Sequence, residues 1–167
     1  MRSIYKIVVC SLLTLSITSC EKDLLEKEQY QKEIYLIGAY NRVWTTEVSY
    51  SNEEVKTYFT VSSSGTLALD RDVNVKMKIN EELVDIYNKK YWTVLNEDKY
   101  YKSLDTDLYS IPSLENTVIK HAEGISAEVP VLIKTASLKI DQSYVIPVEI
   151  ESTTGYPISC LLYTSPS

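Results

Sequence analysis

The sequence predicts an all-β sandwich of about seven short strands with one short helix, preceded by a signal peptide. Three observations predict it. Several segments alternate apolar and polar residues with period two, small or polar turn residues separate them, and only one stretch carries helical spacing. Of the 167 residues, residues 1–19 read as the signal, 20–32 as a tether, 33–159 as the sandwich and 160–167 as a tail foreign to it.

The chain opens with Met1-Arg2-Ser3-Ile4-Tyr5-Lys6, two of whose residues are basic, and an apolar run of 11 residues from Ile7 to Ile17 follows. That length fits a signal-peptide core and falls far short of the roughly 20 residues a membrane-spanning helix needs. Ile17-Thr18-Ser19-Cys20 then resembles a bacterial lipobox, which implies cleavage before Cys20 and acylation of its thiol. Each buried CH₂ is worth about 0.8 kcal/mol, so several acyl chains make an effectively permanent anchor. The alternative is an ordinary secretory signal that happens to end in cysteine. Glu21-Lys22-Asp23 resembles the acidic signal that sends lipoproteins of the Bacteroidetes to the outer face of the outer membrane, and a solvated tether has the same composition.

Glu21 to Lys32 is charged and aperiodic, hence a tether or a frayed helix. Glu33 to Ile37 opens the domain as a strand ended by Gly38. Arg42 to Tyr50 is rich in Val, Trp, Thr and Tyr, which favour a pleated, half-buried surface. Val55, Thr57, Phe59 and Val61 alternate with Lys56, Tyr58 and Thr60, and Ser62-Ser63-Ser64-Gly65 closes that strand. Val73, Val75, Met77 and Ile79 alternate with Asn74, Lys76 and Lys78 in the cleanest strand of the chain.

Asn80 is placed to cap a helix running to Tyr91, with Leu83, Tyr87 and Tyr91 at spacing four on one face. Trp92 to Tyr109 is long and irregular. Three more strands are expected near Thr117–His121, Ala127–Lys134 and Tyr144–Ile150. Pro130 and Pro147 each remove a ladder donor, so the last two strands should be edges or carry bulges.

Cleavage before Cys20 would leave 148 residues, enough for one domain with a real core. It would remove Arg2 and Lys6, leaving 15 basic residues against 23 acidic, a net charge near −8. That balance argues against nucleic acid, which needs a basic footprint. Of the three cysteines, Cys10 leaves with the signal, Cys20 is the anchor, and Cys160 begins the tail Cys-Leu-Leu-Tyr-Thr-Ser-Pro-Ser. This tail resembles the translation of a sequencing adapter, so a following domain is expected in the intact gene. No disulfide framework or thiol metal site remains.

Glu82-Leu83-Val84-Asp85-Ile86-Tyr87-Asn88, the irregular Tyr stretch, Ile119 shortly before Gly124, and Tyr144-Val145-Ile146-Pro147-Val148-Glu149-Ile150 followed by Gly155 together resemble a Bacteroidetes family. Its members are N-terminal domains of unknown function in surface lipoproteins. The resemblance implies an immunoglobulin-like sandwich over about Glu33 to Ser159. It also implies a place ahead of a laminin-G-like domain or a family 18 glycoside hydrolase, near outer-membrane glycan-uptake systems. No catalytic residue carries over.

The residues themselves offer little chemistry. Asp70, Asp72 and Asn74 with Glu81 in twelfth place mimic a calcium loop, but Val75 stands where such a loop needs glycine. Glu149 and Glu151 share a strand face, which suits solubility better than a glycosidase pair across a cleft. His121, the single histidine, has no nucleophile motif near it. The expectation is therefore no enzyme, no metal and no cofactor. Trp92, Tyr100, Tyr101 and Tyr109 could form a glycan platform, because sugar C–H faces pack on aromatic rings. The competing reading is that these rings close the core beneath a loop. Two functions follow: a module that binds or presents glycan, or a spacer holding a further domain off the membrane.

Overall fold

A computed structural model describes residues 27–38, 43–92, 94–139 and 142–159; the signal, Cys20 and the tail lie outside these. The strands are β1 (Ile34–Leu36), β2 (Glu54–Ser63) and β3 (Val73–Ile79), followed by the helix α1 (Glu82–Tyr91). Then come β4 (Lys102–Ser103), β5 (Tyr109–Ser110), β6 (Thr117–Ile119), β7 (Ser126–Lys134), β8 (Tyr144–Val145) and β9 (Val148–Thr153). One sheet has the order β1-β2-β7-β5, a second β6-β3-β9, and β4 and β8 form a small parallel ribbon. Among the described residues the fold is the expected all-β, immunoglobulin-like sandwich with one short helix, and its nine strands exceed the expected seven because several are only two or three residues long.

Period-two alternation decides what the sheets bury. Val73, Val75 and Met77 of β3 face Val61 of β2 and Val129 of β7, with Ile34, Ile119 and Ile150 filling the same layer. A second cluster of Leu104, Val131 and Ile133 lies toward the β4–β8 ribbon, and Phe59 and Ile111 touch both. Complete burial of a Val or Ile side chain contributes about 1.5–3 kcal/mol, so this apolar layer dominates stability.

Pro130 makes β7 neither an edge nor a bulged strand, contrary to expectation, because β7 lies between β2 and β5 in unbroken register with β2. Ile37 donates its N–H to the Thr60 carbonyl, and Ser63 donates to the Ile125 carbonyl, on the β7 side. Even-numbered residues of β2 therefore turn their backbone groups toward β1, and Pro130, opposite Tyr58, sits where β7 makes no bond to β2. On its other side β5 reaches only Leu132 and Ile133, so the missing N–H breaks nothing. Pro147 acts differently. It interrupts the strand expected over Tyr144–Ile150, giving β8 in the ribbon and β9 on β3. β9 is an edge and carries a register shift opposite Lys76 and Met77.

One other expectation changes. Residues 43–50 form no strand. They are held by side chains instead: the Thr135 hydroxyl reaches the carbonyls of Ser49 and Ser51, and Thr46 meets Thr57 at 3.4 Å. The helix buries Val84 and Asn88 most deeply, while Leu83 and Tyr87 are half-buried and Tyr91 is 47% exposed. Asn80 caps it as expected, accepting the Glu82 N–H at 3.1 Å while its amide donates to Glu149 at 2.8 Å.

Both ends of the domain meet at β1. Ile34 donates its N–H to Pro157 and accepts from Ser159, at 2.8 and 2.9 Å, so the closing stretch runs parallel to β1. Upstream, Glu28 accepts from the N–H groups of Thr66 and Leu67 and pairs with Lys32. Gly65 makes this docking possible. Its φ is +114°, a conformation other residues rarely adopt, and a Cβ there would lie 2.9 Å from the Lys32 side chain. Gly65→Ala should therefore cost about 1–3 kcal/mol; an unchanged thermal midpoint would contradict this packing.

Candidate functional site

The densest gathering of aromatic rings lies around the C-terminal half of α1. Tyr87 and Tyr91, four residues apart, share a helix face and their ring centroids are 4.5 Å apart. Tyr101 closes on Tyr87 edge-on at 5.5 Å. This loop residue is held by a buried amide. Asn88 donates to the Tyr101 carbonyl at 2.9 Å and accepts the Tyr101 N–H at 3.0 Å. A residue 13 positions away is thus pinned to the helix as if by a strand pair.

Trp92 follows directly, its N–H donating to the Asn88 carbonyl at 2.9 Å. The residue is half-buried, and its indole Nε1–H is buried without an acceptor among the described residues. Such a donor forfeits about 1–3 kcal/mol until something accepts from it. Lys99 sits 5.5 Å from the Trp92 ring centre and Lys90 5.7 Å from that of Tyr91, both within cation–π range.

Of the four rings singled out in the sequence, Tyr101 and Trp92 belong to this region. Tyr100 is half-buried and makes no ring contact among the described residues. Tyr109 lies elsewhere: on β5 it faces Ile133 and packs on the second apolar cluster. Burial, and secondarily the Glu81 carboxylate, push its hydroxyl pKa up. Glu81 marks the N-terminal end of α1, about 15 Å from its other end at 1.5 Å per residue. Tyr87, Tyr91 and Asn88 were not singled out as candidates. The Tyr spacing of four was the available signal, whereas nothing local marks Asn88 as a brace.

The calcium-like residues do not converge. Asp70 pairs with Arg71 and Tyr156, Asp72 with His121, and Glu81 with Ser103, while Asn74 lies in β3. Among the described residues no three metal-ligating side chains cluster. Glu149 and Glu151 are taken up by Lys78 and Lys76 across the strands, at 3.6 and 2.7 Å. His121 is exposed in the turn after β6, 2.7 Å from Asp72.

Lowered carboxylate pKa values set the acid response. Lys32 and then the Thr66 N–H hold Glu28 at about 2, and bonds from His121 hold Asp72 below its usual value. A depressed folded-state pKa stabilises above the unfolded value and is lost as pH falls toward the folded one. Thermal midpoints should therefore drop between pH 4.5 and pH 2, and less so in Glu28→Gln. Equal drops in both proteins would contradict the docking of Glu28.

Residues 30–157 match a family model described as "-like, N-terminal domain". The chain belongs to this family. Its sandwich is also similar to three solved structures from Bacteroides ovatus. One, from strain ATCC 8483, was put forward as a carbohydrate-binding protein; identity is 19% and TM-score 0.58, over 77% of this chain and 34% of that one. A structural-genomics protein of unknown function gives 14% identity and 0.57, over 73% and 40%. A multidomain protein including DUF1735 gives 16% and 0.52, over 61% and 33%. At these identities the likeness concerns fold alone, and the chain spans well under half the length of each neighbour. None of the curated proteins matches it.

Proposed function

We propose that this family member is a non-catalytic module of a surface lipoprotein, anchored through Cys20, that binds or presents glycan at the aromatic end of α1. The observation that carries this is the braced Tyr87–Tyr91–Tyr101 cluster beside a Trp92 indole N–H lacking an acceptor among the described residues. Rings of this kind offer apolar faces to sugar C–H groups. The carbohydrate-binding description of one structural neighbour supports the reading. Partners on this account are the membrane, glycans and the proteins of an outer-membrane uptake system. The location is the outer membrane, facing outward.

Affinity electrophoresis of the full chain through gels containing different polysaccharides tests it. Retardation by at least one polymer, lost in Tyr91→Ala, is expected; a panel without any retardation overturns the reading. Cys20→Ala should move the protein from the membrane to the soluble fraction, and persistent membrane association would contradict the anchor.

A spacer role is the second reading. It draws on the half-burial of Trp92, Tyr100, Tyr101 and Tyr109 and on the greater length of the neighbours. A blank glycan panel together with loss of stability in Trp92→Ala would favour it.

A further inference from the structure

We infer that the aromatic site on α1 takes an anionic glycan, one bearing carboxylate or sulfate groups, rather than a neutral one. This rests on the glycan reading above and adds the ligand's charge. Four exposed lysines, Lys89, Lys90, Lys99 and Lys102, lie on the helix end and the loop that carry these rings. Lys90 and Lys99 stand over the Tyr91 and Trp92 ring faces. None of the four has a carboxylate partner among the described residues.

Elsewhere Lys32, Arg71, Lys76, Lys78 and Lys120 are each paired with an acid, while Lys27, Lys56, Lys134 and Lys139, which have no acid partner among the described residues, are spread singly along the sequence. The whole chain carries net −6, yet residues 89–102 hold these four cations against only Glu97 and Asp98. In an acidic protein such a local run of lysines attracts a polyanion that the net charge repels, which confers selectivity as well as attraction. Lys89 and Lys90 also suit the negative end of the helix, but Lys99 and Lys102 lie beyond it, on the loop that carries Tyr101. Rings for the sugar faces and ammonium groups for the acidic substituents then meet on one braced surface. Lys99 and Lys90 already sit where an anion lying across the rings would find them.

Isothermal titration of the full chain with polygalacturonate, dextran sulfate and neutral dextran tests this. One of the two anionic polymers should bind at least about tenfold tighter than neutral dextran at low salt, and their relative affinities tell carboxylate from sulfate. Because screening at about 1 M salt shortens the Debye length to roughly 3 Å, that binding should fall at least about tenfold at high salt. The double variant Lys90→Gln/Lys99→Gln should lose about tenfold with an unchanged thermal midpoint, and Tyr91→Ala should lose several-fold. Lys56→Gln, on β2 and in contact with Tyr58 instead of these rings, should bind as the parent does. Equal binding of neutral and anionic polymers, unaffected by the lysine variants, overturns the charge selectivity and leaves the glycan reading intact. Anionic binding indifferent to Tyr91→Ala overturns the site as a joint ring-and-cation surface. Absence of binding to any polymer overturns both readings together.

Discussion

Replacing Ile34 by alanine should lower the unfolding free energy by about 2–5 kcal/mol, a large part of the roughly 5–15 typical of a domain. Ile34 is fully buried. Its side chain lies in the main apolar layer while its backbone joins β2 on one side and the closing stretch at Pro157 and Ser159 on the other. Truncation leaves a cavity at the point where both ends of the domain are fastened. Ile34→Val removes one methylene and should cost only about 0.5–1.5 kcal/mol. Denaturant unfolding of the pair measures the gradation. An alanine variant within about 0.5 kcal/mol of the parent would show that β1 does not close the sandwich.

Asn88→Leu should destabilise by about 2–4 kcal/mol, although leucine is the larger apolar residue and the better helix former. Asn88 is only 4% exposed, and its amide supplies both partners of the Tyr101 backbone. Leucine leaves that N–H and carbonyl without their partner, at about 1–3 kcal/mol each. The same change frees the 94–101 loop from the helix, so the ring contact between Tyr87 and Tyr101 should be lost as well. Near-UV circular dichroism reports the rings and chemical denaturation reports the stability. A stable variant with an unchanged aromatic spectrum would remove Asn88 from the account.

These residues also show what a sequence discloses. The alternation of Val73, Val75 and Met77 is local and survives into the structure, as does that of Val129, Val131 and Ile133. Asn80 could be recognised because capping depends on neighbours two residues away. Pro147 could not be resolved in the same way: a proline removes a donor, but only the surrounding sheets decide whether a strand bends, bulges or divides. The face shared by Tyr87 and Tyr91 was legible, but nothing in the spacing shows that the polar Asn88 is buried. Its burial is offset by a loop 13 residues on, which no periodicity marks. For the site, Trp92 and Tyr101 were visible as aromatics in an irregular stretch. Their association with Tyr87 and Tyr91, and the separation of Tyr109, depend on where that loop folds back.

Trp92 itself provides the most direct reading of the central claim, that glycan sits at the braced end of α1. Trp44 is 59% exposed and is the only other tryptophan in the chain, so Trp44→Phe leaves Trp92 as the sole indole fluorophore. Titrating this variant with whichever polysaccharide retards the parent should shift and saturate its emission at the same ligand concentration that saturates binding. Full binding with the Trp92 emission unmoved would place the glycan elsewhere on the molecule.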